Sequence, residues 1–417
     1  MKQWMTAKIK HAGLYAEALG KWIALGGLIG AFGGLVGSVF YLGVARATMI
    51  RETHSWISFL LPLGGLFIVW LYRVTKMAGK GTNDIIESVH FGSEVPIMLV
   101  PVIFIATIVT HLFGGSAGRE GAALQIGGGI GYHVGSFFRL DDKDLRIATL
   151  CGMSGVFSAL FGTPLTATVF ALEVVSVGVL YYVGLIPCMT SAMVAYLVSL
   201  LMGVPPTRFT VLVPALEPRS MLLVVLLGAA CGFVSILFCQ ALHQTERLLK
   251  KTVKNAYLQV TVGAAGVILL MLLAGNTDYN GAGLRTILAA FGGSAPTWGW
   301  LWKILFTALT IGCGFKGGEV VPAFFIGATF GCVAGGFLGL PAGFCAAVGL
   351  IAVFCGAVNC PIASIFLSIE LFGADGLLYF AAACCISYVV SGYSGLYSSQ
   401  TILYSKLKAK FINVHTK

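Results

Sequence analysis

The sequence predicts an all-α polytopic membrane protein built from two pseudo-repeated halves with broken helices. Three observations predict it: scarcity of charge, a series of long apolar segments, and a pair of motifs that recurs about 200 residues later. Of the 417 residues, 58% are hydrophobic and only 10% charged, and the mean hydropathy is +0.92. Soluble domains carry roughly 25% charged residues, so water is not the solvent around most of this surface.

A bilayer-spanning helix needs about 20 mostly apolar residues. Stretches of that kind occur at 22–45, 56–72, 96–113, 147–172, 177–202, 221–242, 258–274, 299–312 and 320–357. Several are interrupted by glycine, and others are long enough for two helices. Only helices and closed barrels satisfy their backbone in lipid, and these segments lack the alternation of barrel strands. Gly26, Gly30 and Gly34, with Gly33 and Gly37, form small-residue rows on the first span that predict close helix packing.

The net charge is +10, which in a soluble protein would suggest nucleic acid as a partner. Here the basic residues sit between and beyond the apolar segments: Lys2, Lys8 and Lys10; Arg247, Lys250, Lys251 and Lys254; Lys406, Lys408 and Lys410. That distribution follows the positive-inside rule. It predicts a multi-pass protein of the cell (inner) membrane with both termini and the central loop in the cytoplasm, and no nucleic-acid partner. Residues 1–20, with their lysines and Trp4, read as a basic interfacial segment. No cleavable signal is visible, since the first apolar run continues as a full span. RLDDKDLR, 139–146, reads as a solvated loop with paired charges. The eleven cysteines lie scattered in apolar segments without a C-x-x-C pair, and adjacent Cys384 and Cys385 have poor geometry for an ordinary disulfide. They are expected to be small core residues, and no metal or other cofactor is expected.

The repeat is carried by two elements. GTPLTATVFALEV around Pro164 matches NCPIASIFLSIEL around Pro361, each proline followed nine residues later by a glutamate, Glu173 or Glu370. Upstream, GREGAALQIGGGIG from Gly118 matches GGEVVPAFFIGATFG from Gly317; Glu120 precedes Pro164 by 44 residues and Glu319 precedes Pro361 by 42. The expected organisation is an N-terminal half 1–202, a proline-rich linker 203–220, and a C-terminal half 221–417, with nothing left for a soluble regulatory module. Duplicated halves with interrupted helices are the architecture of secondary transporters. A helix that starts inside the bilayer aims free N–H groups and its positive dipole end into the protein, and several such ends make an anion site.

Glu120 lies between glycines at such a helix start. An ionisable group in the membrane is by default a functional candidate, with a structural pairing to Arg119 as the alternative. A carboxylate there can occupy an anion site itself and leave when protonated, so proton and anion compete for one place. Glu173 and Glu370, at matched helix ends, read as structural carboxylates.

G-R-E-G after a Gly/Ser-rich turn resembles the gating-glutamate motif of the CLC chloride channels and proton-coupled antiporters. GMSGVFSALFGTPLTATVFALEV resembles the segment that follows it there, and GLYSSQ, 395–400, resembles the stretch holding that family's anion-coordinating tyrosine, here Tyr397. The resemblance spans about 80–400. It implies a CLC-type fold with inverted halves, a homodimer with one pathway per subunit, and fluoride or chloride ions and protons as the transported partners. Chloride-type members carry G-S-G-I-P at the first anion-binding loop, where this chain has KGTNDIIES with Gly81, Thr82 and Asn83. G-R-E-G is followed by Ala122 rather than proline, and the phenylalanine of the family's G-x-F-x-P aligns with Val320, preceded by Glu319. These features resemble the fluoride/proton antiporter branch, although that branch often has threonine where Val321 stands. The resemblance implies a gating and proton-coupling role for Glu120 and Glu319, and an anion-binding set of Gly81, Thr82, Asn83, Gly118, Arg119, Gly121, Val320, Val321 and Tyr397. A fluoride site needs short, strong hydrogen bonds, which Thr82, Asn83, loop N–H groups and Tyr397 are able to donate. For Glu319 the alternative is loop stabilisation.

The expected function is proton-coupled fluoride export, with a chloride/proton antiporter or passive anion channel as the alternative. An intramembrane serine protease is a reading from another class, because Gly152-Met153-Ser154-Gly155 fits G-x-S-G. Its serine needs a histidine on a later membrane helix, and after Ser154 only His243 and His415 occur, neither inside a span. H-E-x-x-H and Walker A motifs are absent from the sequence.

Overall fold

A computed structural model describes residues 2–417; for residues 2–12 and 14 only the backbone course is described, so the lysines and Trp4 of the expected interfacial segment lie outside the described side chains. The chain forms eight helices, breaks, and forms eight more. The first set is α1 (Lys2–Thr53), α2 (Leu61–Val74), α3 (Thr82–Phe91), α4 (Leu99–Leu112), α5 (Glu120–Phe137), α6 (Asp142–Phe161), α7 (Pro164–Glu173) and α8 (Leu185–Leu201). The second is α9 (Pro218–Thr252), α10 (Ala256–Ala274), α11 (Leu284–Phe291), α12 (Gly299–Gly312), α13 (Val320–Leu338), α14 (Ala342–Val358), α15 (Pro361–Phe372) and α16 (Leu377–Val390). Among the described residues, seven helical stretches are long and apolar enough to cross a membrane.

The broken helices follow from local chemistry. α6 stops at Gly162, which adopts a left-handed φ of +69° and returns its N–H to the Ser158 carbonyl. Pro164 then opens α7 at a position where its missing N–H costs nothing. The apolar segment 147–172 is therefore two helices. Segment 320–357 divides likewise into α13 and α14.

Contacts between equivalent residues relate the halves by a half-turn. Gly118 and Gly318 exchange two backbone hydrogen bonds, at 2.6 and 2.8 Å. The Ser116 N–H donates to the Thr310 hydroxyl at 3.1 Å, and the Lys316 N–H donates to the Thr110 hydroxyl at 3.3 Å. Gly118 and Gly318 lie 200 positions apart, and the other two bonds exchange under that same offset, which carries Ser116 onto Lys316 and Thr110 onto Thr310. The starts of α4 and α12, α5 and α13, and α6 and α14 are also 200 apart. The motif spacing equates Glu120 with Glu319, but the helix starts equate Glu120 with Val320 and Arg119 with Glu319.

The glycine rows of α1 serve two seams. Gly26, Gly30 and Gly34 face the backbone of α8, and Gly33 and Gly37 face Val156 and Ala159 of α6. A Cβ on Gly34 would stand 2.9 Å from the Ala195 Cα, so the helices pack at backbone distance. The 139–146 segment is more ordered than a loop. Asp141 caps α6 by accepting from the Asp144 N–H, and Asp144 pairs with Lys21 of α1. Residues 204–217 run without helix, tied to α6 and α15 by the Thr207 N–H to Phe161 O (2.9 Å) and the Phe209 N–H to Leu371 O (2.8 Å). All eleven cysteines are free thiols, ten of them buried.

One feature departs from an all-helical chain. β1 (Ser176–Val177), β2 (Thr401–Tyr404) and β3 (Phe411–His415) form a small sheet in that order, β1 parallel and β3 antiparallel to β2. Strands this short carry too little alternation to be read from sequence. The sheet secures the Tyr397 loop: the Thr416 hydroxyl donates to the Tyr397 carbonyl at 2.5 Å and the Thr416 N–H to the Gln400 carbonyl at 3.1 Å.

Candidate functional site

Glu120 is the first residue of α5 and has no exposed surface. Its side chain folds back, so that Oε2 accepts from the Arg119 N–H at 2.9 Å and from the Val321 N–H at 3.3 Å. Val321 is the second residue of α13. The carboxylate thus lies where two helix N-termini meet, among orphan N–H groups and two positive dipole ends. Helix N-termini of this kind also hold free anions. Oε1 is buried without a hydrogen-bond partner, and the Arg119 Nε is 4.0 Å away while its guanidinium lies 4.3 Å from the Tyr41 ring centre.

The neighbouring glycines make room for this. A Cβ on Gly318 would fall 2.8 Å from the Glu120 nitrogen and 3.2 Å from Oε2, and one on Gly118 would collide with Oε2. Any side chain at either position would drive the helices apart or expel the carboxylate.

Two cavities approach the pair of helix starts. The first, about 620 Å³, is lined by Arg119, Glu120, Val321 and Phe324, with Arg51, His111, Arg208 and Arg285 around it. The second, about 800 Å³, is lined by Gly81, Thr82, Asn83, Gln125, Glu319 and Tyr397, with Lys80, His243, Lys250, Lys254 and Lys316. α2 runs between them: Ser55 and Ser58 just before it line the first cavity, and Tyr72 and Arg73 at its end line the second. α10 runs the other way, with Tyr257 and Gln259 at the second cavity and Thr277 and Asp278, beyond its end, at the first. The 19 residues of α10 make about 28 Å of apolar helix, close to a bilayer thickness. The cavities therefore open on opposite sides, and α2 and α10 are inverted copies.

Glu319 caps α13, and its partnerless buried Oε2 lies 3.3 Å from where a Gly121 Cβ would be. Glu120 faces the first cavity and Glu319 the second, with only the glycine crossing between them.

The structure gathers Thr82, Asn83, Glu319 and Tyr397 around the second cavity, and Arg119, Glu120 and Val321 around the first. Several expected donors have partners. The Gly81 N–H goes to Asp84 Oδ2 at 2.8 Å, the Gly118 N–H to Gly318, and the Thr82 hydroxyl to the Gly121 carbonyl at 3.3 Å. Thr82 and Asn83 open α3 rather than lying in the loop the sequence suggests, and the Asn83 Oδ1 accepts from the Ser399 N–H at 3.2 Å, tying that helix start to the Tyr397 loop. Val320 is fully buried, and the Tyr397 hydroxyl is buried without a partner. Sequence reasoning missed Gln125, whose amide donates to the Thr82 hydroxyl at 3.0 Å and the Gly121 carbonyl at 3.3 Å. Its signal was a lone amide in a glycine-rich apolar run, one helical turn beyond Gly121. Lys316, 4.6 Å from the Tyr72 ring centre, was also missed.

Ser154 has a packing role: its hydroxyl lies 3.0 Å from both the Cys151 and Cys188 carbonyls in the seam of α6 and α8. His243 is far from it in role, with Nε2 bonded to the Gly395 carbonyl at the second cavity.

Residues 64–392 match the family model described as voltage gated chloride channel, which spans most of the chain. The chain belongs to that family. Among its CLC relatives is the chloride/fluoride channel protein of Pseudomonas syringae pv. tomato, 37% identical over 398 residues, covering 93% of this chain and 88% of that one. The H(+)/Cl(-) exchange transporter ClcA of Vibrio vulnificus is 27% identical over 384 residues, covering 83% and 81%. The solved structure of a CLC-type fluoride/proton antiporter superposes with a TM-score of 0.88 at 32% identity, covering 92% of this chain and 98% of the other. A slow cyanobacterial Cl-/H+ antiporter shares the fold, with a TM-score of 0.76 at 18% identity over 89% and 94%. These CLC relatives are transporters and channels, and this CLC chain is a multi-pass membrane protein.

Proposed function

We propose that this CLC protein is a proton-coupled fluoride exporter, exchanging fluoride for protons along a pathway that joins the two cavities past Glu120. The carrying observation is the Glu120 carboxylate seated on the α5 and α13 N-termini. Protonation removes its charge and its preference for that place, and an arriving anion takes it. Glu319 exchanges protons with the second cavity, and Thr82, Asn83, Gln125 and Tyr397 line the anion's route there. Arg119, Val321 and the glycines at 81, 118 and 121 shape the crossing.

Fluoride is supported by Thr82 and Asn83, by the G-G-E-V start of α13, and by relatives whose names include fluoride. Chloride/proton exchange is the second reading, favoured by Val321, which offers no hydroxyl, and by relatives named as chloride exchangers. In the same proposal the halves 1–202 and 221–417 are pseudo-repeats of one domain joined by 203–220, two copies form a homodimer with one pathway each, and the chain resides in the cell (inner) membrane. The second cavity carries Lys250 and Lys254, and the C-terminus folds onto the Tyr397 loop beside it. By the positive-inside rule that side is cytoplasmic.

The test is an efflux assay in reconstituted vesicles with equal fluoride and chloride gradients, paired with growth of an export-deficient bacterium in fluoride medium. Fluoride efflux that carries protons and restores growth is expected. Chloride moving as fast as fluoride, without rescue, would return the protein to the chloride side of its family.

A further inference from the structure

A second polar cluster lies in the wall of the first cavity, on segments far apart in sequence. Arg51 near the end of α1, Ser58 in the 3₁₀ turn Ser55–Leu60, and Asn280 before α11 are 6%, 3% and 2% exposed, and all three line that cavity. Each has a buried polar atom without a partner: Arg51 Nη1, Ser58 Oγ and Asn280 Oδ1. They converge on Gly114. A Cβ there would stand 2.9 Å from Ser58 Oγ, 3.0 Å from Asn280 Nδ2 and 3.3 Å from Arg51 Cδ.

The charge around the cluster is unbalanced. The Arg51 guanidinium lies against Gly281, a left-handed glycine with φ +56°, where a Cβ would meet Nη1 at 2.5 Å. The carbonyl of the same Gly281 accepts from the fully buried Lys303 Nζ at 2.6 Å, and the Tyr279 carbonyl accepts from it at 3.0 Å. Two buried basic side chains therefore flank one residue. Glu52 is the carboxylate in contact with Arg51, at 3.7 Å from Nη2, and it is also hydrogen-bonded at 2.5 Å by Arg285. Buried charge without full compensation is unfavourable, and the partnerless donors Arg51 Nη1 and Ser58 Oγ set out a site for negative charge. His111 on the same wall does not add to the donors: its Nδ1 lies 2.9 Å from the Thr107 carbonyl, which leaves Nε2 an acceptor in the neutral ring.

We propose that Arg51, Ser58 and Asn280 form a way-station for a small monovalent inorganic anion in the first cavity, one stop from Glu120. It rests on the anion-transport reading of the Glu120 pathway. Arg51 supplies the charge and the Nη1 donor, the Ser58 hydroxyl a second donor, and the Asn280 amide, whose Nδ2 also meets Met271 Sδ at 3.4 Å, a third. An anion held here raises the local concentration at the gate without entering the glycine crossing.

The experiment measures initial fluoride flux against sodium fluoride concentration, from each side of uniformly oriented vesicles holding the full-length protein. Ser58→Ala keeps the cluster's packing, and Arg51→Lys keeps the charge while removing the planar donor. Both should raise the half-saturating fluoride concentration about three- to tenfold from the first-cavity side only. Maximal rate and the proton-to-fluoride ratio should stay as in the wild type. Half-saturation unchanged in Ser58→Ala, or raised equally from both sides, overturns the way-station while coupled transport stands. Wild-type protein that moves no anion would overturn the transport reading, and the way-station with it.

Discussion

Glu173 and Glu370 cap each other's helices. Glu173, the last residue of α7, accepts from the Ile362 and Ala363 N–H groups that open α15, at 3.2 and 2.8 Å. Glu370, in the last turn of α15, accepts from the Leu165 and Thr166 N–H groups that open α7, at 3.0 and 2.8 Å, and from the Thr166 hydroxyl at 2.5 Å. Each carboxylate meets a positive helix end and satisfies two of its orphan donors. Neither glutamate lines either cavity.

Glu173→Gln should therefore lower stability and leave transport coupling intact. The amide keeps one acceptor but turns an NH2 toward donors, at a cost of about 1–3 kcal/mol. Thermal unfolding in detergent, followed by intrinsic fluorescence, reads the shift. Lost coupling with an unchanged melting temperature would assign this residue to the pathway.

Glu120→Gln should abolish proton movement and leave anion flux slow or uncoupled. The amide is nearly isosteric but exchanges no proton; its carbonyl can keep the bonds from the Val321 and Arg119 N–H groups, with the NH2 in the place of the partnerless Oε1. The check is a vesicle pH trace during fluoride efflux. Wild-type proton flux in this variant would give the coupling role to another residue.

Asn83→Ala should weaken anion binding by about 0.5–3 kcal/mol, the range for one hydrogen bond to a charged group or a stranded partner. It also frees the Ser399 N–H, so the Tyr397 loop should exchange its amide hydrogens faster. Calorimetric titration with fluoride and hydrogen exchange at 396–400 measure the two effects. Unchanged affinity would leave the anion to Gln125 and the loop backbone.

Glu319→Gln should slow coupled transport while the protein still assembles as a dimer. The carboxylate lies across Gly121 from Glu120 and borders the second cavity, and its Oε2 has no structural partner to lose. Size-exclusion chromatography with light scattering, run beside the flux assay, separates the outcomes. A variant that fails to assemble would make Glu319 a structural residue.

The helix breaks at Pro164 and Pro361, the packing rows of α1 and the buried glutamate at the start of α5 were legible because each is a local pattern. The register between repeats was not. α14 has 17 residues where α6 has 20, so Pro361 comes three residues early. Aligning G-R-E-G with G-G-E-V pairs Glu319 with Glu120, one position out of the register set by the helix starts. α3 and α11, with 10 and 8 residues, are too short and too polar to stand out as spans. The Arg51, Ser58 and Asn280 cluster joins both halves, and no window of sequence contains it.

The Gly118–Gly318 contact has a consequence for direction. Equivalent residues face each other there, as they would if two identical half-length chains had docked in opposite orientations. Such an assembly would treat its two faces alike. In the fused chain the carboxylates fall one position out of register, so the axis that relates the backbones does not relate the acids. In the proposed pathway one acid addresses each cavity, in a different setting, and the scaffold's symmetry does not extend to its chemistry. Under that proposal the single-residue offset makes the two sides of the membrane distinguishable to a proton.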